Sequence, residues 1–155
     1  TASRYVQSDD RAIMAKAKEI VGDVVDPARQ VSLLAEWVYK NIEKRPVIGL
    51  PDALTTLKSG RGDCNEHAAL FAALARSLNI PTAIVAGVTL HKNAFYYHAW
   101  NEVCIGEQWI SLDTTVNQLP ADLYHIRFTR GDLEGQLAIG ALIGKLQIEI
   151  LSAQE

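Results

Sequence analysis

The chain reads as an α+β domain, with helices first and an antiparallel sheet second. Three observations carry this. Apolar residues recur at three- and four-residue spacing as far as Leu78. Beyond Asn79-Ile80-Pro81 the period shortens to two, and Gly106-Glu107 falls between two alternating runs as a hairpin turn would.

Each element has its own signals. Ser8-Asp9-Asp10 opens a helix in which Ile13, Ala17, Ile20 and Val21 form the buried stripe before Gly22 stops it. Asp26-Pro27 starts a second, with Val31, Leu34, Val38 and Ile42 facing inward and Lys44-Arg45-Pro46 expected to end it. Residues 46–62 carry Pro46, Gly49, Pro51, Gly60 and Gly62 and read as a loop holding a short helix near 52–58. The helix expected over 64–78 is apolar around most of its circumference, which places it at the centre of the core. Strands are expected over 82–90, 95–105, 108–114 and 123–129, a short helix over 136–143 and a last strand over 145–151.

Composition excludes several classes. The 155 residues carry a net charge of −3 without any Lys/Arg run, so nucleic acid is not an expected partner. Hydrophobic residues make up 48%, enough for a sizeable core, yet every apolar stretch breaks before the ~20 residues of a membrane span. Two cysteines do not make a disulfide framework. We read residues 4–155 as one domain, with 1–3 as linker, and leave compartment and oligomeric state open.

The chemistry concentrates in Gly-Arg-Gly-Asp-Cys-Asn-Glu-His at 60–67. Cys64 stands where a glycine-rich loop becomes a helix, beside first-turn N–H groups and the positive end of the dipole, a position expected to favour the thiolate. A small buried hydrophobe is the competing reading of any free cysteine, but a polar, glycine-flanked helix start is a poor place for core filling. Downstream, His98 in Tyr-Tyr-His-Ala-Trp and Asp113 in Ser-Leu-Asp-Thr-Thr complete the parts for nucleophilic acyl transfer.

The hairpin decides whether the last two meet. With Gly106-Glu107 as a two-residue loop, Ile105 faces Gln108, Val103 faces Ile110 and Asn101 faces Leu112. His98, Trp100, Glu102 and Cys104 then share the opposite face with Trp109, Ser111 and Asp113. Asp113 becomes a diagonal neighbour of His98, about 7–8 Å away at the backbone. The same register leaves Cys104 roughly 20 Å along the strand, a bystander.

Expected roles follow. Cys64 attacks an amide or ester carbonyl, His98 takes and returns the proton, Asp113 fixes the ring, and the Cys64 N–H faces the oxyanion. A second oxyanion donor is needed and is not identified by the sequence; Trp37 and Asn41 are upstream candidates only. His67 is read as packing or supporting the site, and His91 and His125 as surface or loop residues. Glu102 and Asp63 are read as solvated charges in preference to groups that tune pKa values near the triad, with Asp63 also able to cap the helix. Neither a cofactor nor a metal is expected; a zinc site from Cys64, His67, His98 and Cys104 lacks any Cys-x-x-Cys and is split by the predicted geometry.

Four ordered blocks carry a resemblance: Gly-Arg-Gly-Asp-Cys-Asn-Glu-His, Leu-Asn-Ile-Pro-Thr-Ala-Ile-Val-Ala-Gly, Tyr-His-Ala-Trp-Asn-Glu-Val and Trp-Ile-Ser-Leu-Asp-Thr-Thr. Together they resemble bacterial transglutaminase-like domains of the papain-like cysteine protease group, over about residues 31–116. The resemblance implies a central Cys-bearing helix packed on an antiparallel sheet, with the family triad on Cys64, His98 and Asp113. It implies protein or peptide substrates and leans towards an extracytoplasmic, periplasmic setting. It does not choose between water and an amine as acceptor. The alternative is a docking or regulatory domain of a larger protein that has the fold without turnover.

Overall fold

The computed structural model describes residues 1–132, 139 and 145–148. Four helices come first among these residues: α1 (Arg11–Val21), α2 (Pro27–Asn41), α3 (Ala53–Ser59) and α4 (Cys64–Ser77). Aspartate caps all four. Asp10, Asp26, Asp52 and Asp63 each accept a backbone N–H from the first turn through the side chain. Such a cap contributes about 1 kcal/mol. The sequence marks the helix starts well because the cap is a local interaction.

The helix ends are less local. α2 stops at Asn41, three residues before Lys44-Arg45-Pro46. There Glu43–Lys44 (β1) turns extended and pairs in parallel with Arg61–Gly62 (β2), the Glu43 and Arg45 amides reaching the Gly60 and Gly62 carbonyls at 2.8 and 3.0 Å. This two-strand clamp holds the approach to Cys64, and periodicity gave no sign of it.

The main sheet runs β5-β4-β3-β6, antiparallel throughout, from β3 (Thr82–His91), β4 (Ala94–Ile105), β5 (Gln108–Leu112) and β6 (His125–Arg130). The hairpin register is the one expected, with Asn101 opposite Leu112 and Ile105 opposite Gln108. β5 is shorter than expected. It ends at Leu112 because Asp113 leaves the ladder and bonds instead with Gln118, N–H to carbonyl in both directions at 2.9 Å. Of the expected helix over 136–143 only Ile139 is described, buried against the core. Of the expected strand over 145–151, residues 145–148 are not in a strand and the rest lie outside the described residues.

α4 is the hub. It touches α1, α2 and α3 on one side and β3 and β4 on the other. Leu70, Phe71 and Leu74 are fully buried, each contributing about 1.5–3 kcal/mol. Buried alanines at 68, 69, 72, 73 and 75 let the neighbours approach closely. Asn101 ties α4 to the sheet, its Nδ2 donating to the Ala68 carbonyl at 3.0 Å. No helix among the described residues is long and apolar enough to cross a membrane.

Candidate active site

Three elements deliver the site: the start of α4, the middle of β4 and the loop leaving β5. At the start of α4, Asp63 and Glu66 form a reciprocal capping box. The Asn65 amide donates to Asp63 Oδ1 and the Asp63 amide to Glu66 Oε2, both at 3.0 Å. Gly62 is needed beneath it, since a Cβ there would meet the Glu66 Cβ at 2.3 Å. Asp63 therefore caps as expected. His67 is fully buried, its Nδ1 2.7 Å from the Asp63 carbonyl, and burial lowers its pKa. It packs and braces the turn.

Cys64 is partly buried and unpaired. Burial pushes its thiol from 9.0 up to about 12, and the carboxylates of Asp63, Asp113 and Glu66 add to the rise, against the Ala99 backbone amide, which favours the thiolate. The expectation that the helix start favours the thiolate is thus reversed. The rise is equivalent to about 4 kcal/mol, whereas a helix terminus supplies about 0.3–1 kcal/mol. Burial and the neighbouring carboxylates therefore disfavour the thiolate in the free protein. The amide beside it has a structural origin: had β5 continued past Leu112, Ala99 would pair with Thr114.

His98 and Asp113 do meet. His98 Nε2 lies 2.6 Å from Asp113 Oδ2, which leaves Nδ1 as the other face of the ring. Asp113 is buried, and its Oδ1 accepts the Thr115 amide at 2.7 Å. Burial alone would raise this carboxyl. Hydrogen bonds from His125 and His98, the His98 charge and the Thr115 amide outweigh it and hold the group well below the usual carboxylate range.

His125 belongs to this cluster, contrary to its reading as a surface or loop residue. Its Nε2 stands 3.1 Å from the same Asp113 Oδ2 and its Nδ1 2.8 Å from Asp122 Oδ1. Burial would lower its pKa, but the two carboxylates raise it. Its ring meets Trp100 edge-on at 5.1 Å and the His98 ring at 5.7 Å, while Trp100 stacks on His98 at 6.1 Å. The available sequence signal was the spacing in Asp122-Leu-Tyr-His125, a carboxylate three residues before an imidazole.

Gly87 brings β6 to the site. It pairs with His98 on β4 and Arg127 on β6, at a register shift between Ala86 and Gly87. A Cβ there would strike the Ile126 carbonyl oxygen at 2.0 Å. The absent side chain lets β6 approach closely enough for its imidazole to reach across β3.

The remaining candidates stand apart. Cys104 is free and partly buried at the hairpin, its sulfur on the Gly106 carbonyl at 3.5 Å, consistent with a bystander. Asn41 Nδ2 donates to the Trp37 carbonyl at 2.8 Å and so is engaged on its own helix, and the Trp37 ring carries the Lys16 ammonium at 5.6 Å. Glu102 corrects its reading as a solvated charge: it is buried and paired with Arg127 and Arg130. His91 is exposed, as expected, at the end of β3. Trp109 is exposed under the Arg130 guanidinium, 3.7 Å from its ring, and Trp100 is buried with its Nε1 donating to Ser111 Oγ at 3.0 Å.

Comparison with known proteins gives a consistent picture. The Transglutaminase-like superfamily profile matches residues 14–114. No curated protein matches the chain. Among solved structures, a protein from Cytophaga hutchinsonii described as a candidate cysteine protease superposes with a TM-score of 0.76 at 28% identity, over 87% of this chain and 46% of that one. The periplasmic domain of TgpA from Pseudomonas aeruginosa gives 0.54 at 22% identity, over 68% of this chain and 42% of its own. A protein described as a TGase gives 0.51 at 15%, over 81% and 37%. The last two are similar in fold alone. The chain spans less than half the length of each of these structures.

Proposed function

The chain belongs to the transglutaminase-like superfamily, and from that premise we propose that it is a thiol enzyme acting on amide bonds of protein or peptide substrates through Cys64, His98 and Asp113. The observation that carries the reading is the His98 Nε2 to Asp113 Oδ2 hydrogen bond at 2.6 Å. It holds the ring as the tautomer whose Nδ1 lone pair can accept a proton, and the next residue's amide lies at the Cys64 sulfur.

In the first half-reaction the thiol proton moves to His98 Nδ1 as the sulfur bonds to the carbonyl carbon. The resulting oxyanion faces the Cys64 N–H, a first-turn donor without a helical partner. The C–N bond then breaks and His98 returns the proton to the leaving amine, leaving a thioester on Cys64. Water or an amine attacks the thioester, giving its proton to His98 and releasing the thiol. Because burial disfavours the thiolate, proton transfer accompanies attack. Asp113 supplies the countercharge for the imidazolium so formed.

Intact-mass analysis after iodoacetamide treatment at pH 6 tests this. The expected result is an adduct on Cys64 formed as His98 takes the thiol proton during alkylation, faster than on Cys104 by at least ~10-fold and lost in His98→Ala. Equal, slow labelling of both cysteines overturns it. The high pKa of Cys64 favours a second reading, a docking module without turnover. That reading predicts a partner whose binding survives Cys64→Ala, with no hydrolysis or transamidation on a panel of peptides and esters.

A further inference from the structure

We propose that His98, Asp113 and His125 form a site for one zinc-class divalent cation, and that metal occupancy and the hydrogen-bonded triad are alternative states of the same side chains. One ligand atom from each residue lies within 4.8 Å of the others, a grouping that does not include Cys64. Both imidazoles present Nε2 to a single carboxylate oxygen, at 2.6 and 3.1 Å. In a tetrahedral zinc site with bonds of about 2.0–2.1 Å, neighbouring ligand atoms stand roughly 3.3 Å apart. The two imidazole–carboxylate separations differ from this by less than about 1 Å, and the two imidazole ligand atoms lie within 4.8 Å of each other.

Three further features distinguish this from an accidental cluster. His125 Nδ1 is bonded to Asp122 Oδ1 at 2.8 Å, and Asp122 is itself held by Gln118 Nε2 at 2.8 Å. A carboxylate behind the imidazole is the support that metal-bound histidines use to fix their orientation. Asp113 Oδ1 is occupied by the Thr115 amide, so Oδ2 alone is presented to the two rings. Finally, a cleft of about 190 Å³ lined by Thr89, His91, His98, Asp113 and His125 opens on the cluster. It gives an ion and its remaining water ligands a way in that does not pass Cys64. Two imidazoles with one carboxylate favour zinc, nickel or cobalt over magnesium or calcium.

Occupancy has a chemical consequence. A cation on His98 Nε2 leaves the neutral ring with its proton on Nδ1. The ring is then a donor where the proposed reaction needs an acceptor, so the metal-bound form cannot take the thiol proton. The binding inference stands on the cluster geometry and only this consequence rests on the thiol-enzyme reading.

Zinc and cobalt(II) binding to the full chain in a Cys64→Ser background tests the site, using a chromophoric chelator for affinity and the visible cobalt spectrum for ligand type. We expect one ion per chain, a tetrahedral cobalt spectrum without a thiolate charge-transfer band, and affinity at least ~10-fold weaker in His125→Ala. Asp122→Asn, which keeps all three ligands, should weaken binding by about 10-fold, and Cys104→Ala should leave it unchanged. No binding at about 100 µM zinc, or binding indifferent to both His125→Ala and Asp122→Asn, overturns the proposal. Iodoacetamide labelling of metal-free wild-type chain reports separately on the thiol reading, so either can fail alone.

Discussion

The start of α4 and the inner rows of β4 and β6 treat charge in opposite ways. Around Cys64, burial and three carboxylates disfavour the thiolate, and one backbone amide opposes them. Around Asp113, more deeply buried than Cys64, two imidazoles and an amide overcome the cost of desolvation and keep the carboxylate ionised. The difference lies in the count of specific partners, since both regions are shielded from water. It teaches that the start of α4 does not by itself favour the Cys64 thiolate. In the reaction we propose, its reactivity comes from the ring that the second region holds.

The strongest way to break this comparison is Asp113→Ala. It leaves two imidazoles without their shared acceptor, and His98 loses its fixed tautomer. We expect Cys64 acylation by an activated peptide ester to fall about 10³- to 10⁴-fold, measured in single-turnover kinetics. Stability should fall by about 3 kcal/mol in urea denaturation, because a buried charged network has lost its centre. Retained reactivity would mean that the thiol is activated without the sheet.

Gly87→Ala attacks the same region through the backbone. The added methyl must push the Ile126 carbonyl away and with it His125. A stability loss of about 1–3 kcal/mol is expected, with shifted imidazole proton resonances of His125 and His98. Unchanged resonances would show that the close approach of β6 does not position the ring.

Glu66→Gln sharpens the other side. Burial, with Asp63 beside it, raises the Glu66 carboxyl from 4.5 to about 7. A folded-state pKa above the unfolded value means that the native chain binds the extra proton. Stability from this group is therefore fully present below about pH 4.5 and declines as pH rises to about 7. Glutamine keeps the acceptor for the Asp63 amide and removes the charge. The variant should be more stable than wild type at pH 8 by roughly 1–2 kcal/mol and equal to it at pH 4, read from urea midpoints. Its Cys64 thiol should also titrate lower. The smallest effect belongs to Cys104→Ala, outside both regions, within about 0.5 kcal/mol of wild type and with unchanged Cys64 labelling.

Much of the site was legible because the controlling interactions are short-range. Asp63 capping a glycine-led helix locates Cys64, and a two-residue turn at Gly106-Glu107 sets the parity that puts His98 and Asp113 on one face. His125 was not legible, because its partners come from other segments. It reaches Asp113 only after β6 lies along β3 at Gly87 and the loop closes through Asp113 and Gln118. Glu102 escaped for the same reason, since its two arginines arrive from β6.

By itself, then, the amino-acid order determined the helix starts, the change of period after Pro81, the hairpin register and the pairing of an imidazole with an acid. Each depends on residues a few positions apart or on one tight turn. Only the tertiary structure decided the protonation of the thiol, the early end of β5 and the second imidazole on Asp113. Desolvation and cross-strand approach have no value until distant segments have closed around the group that feels them.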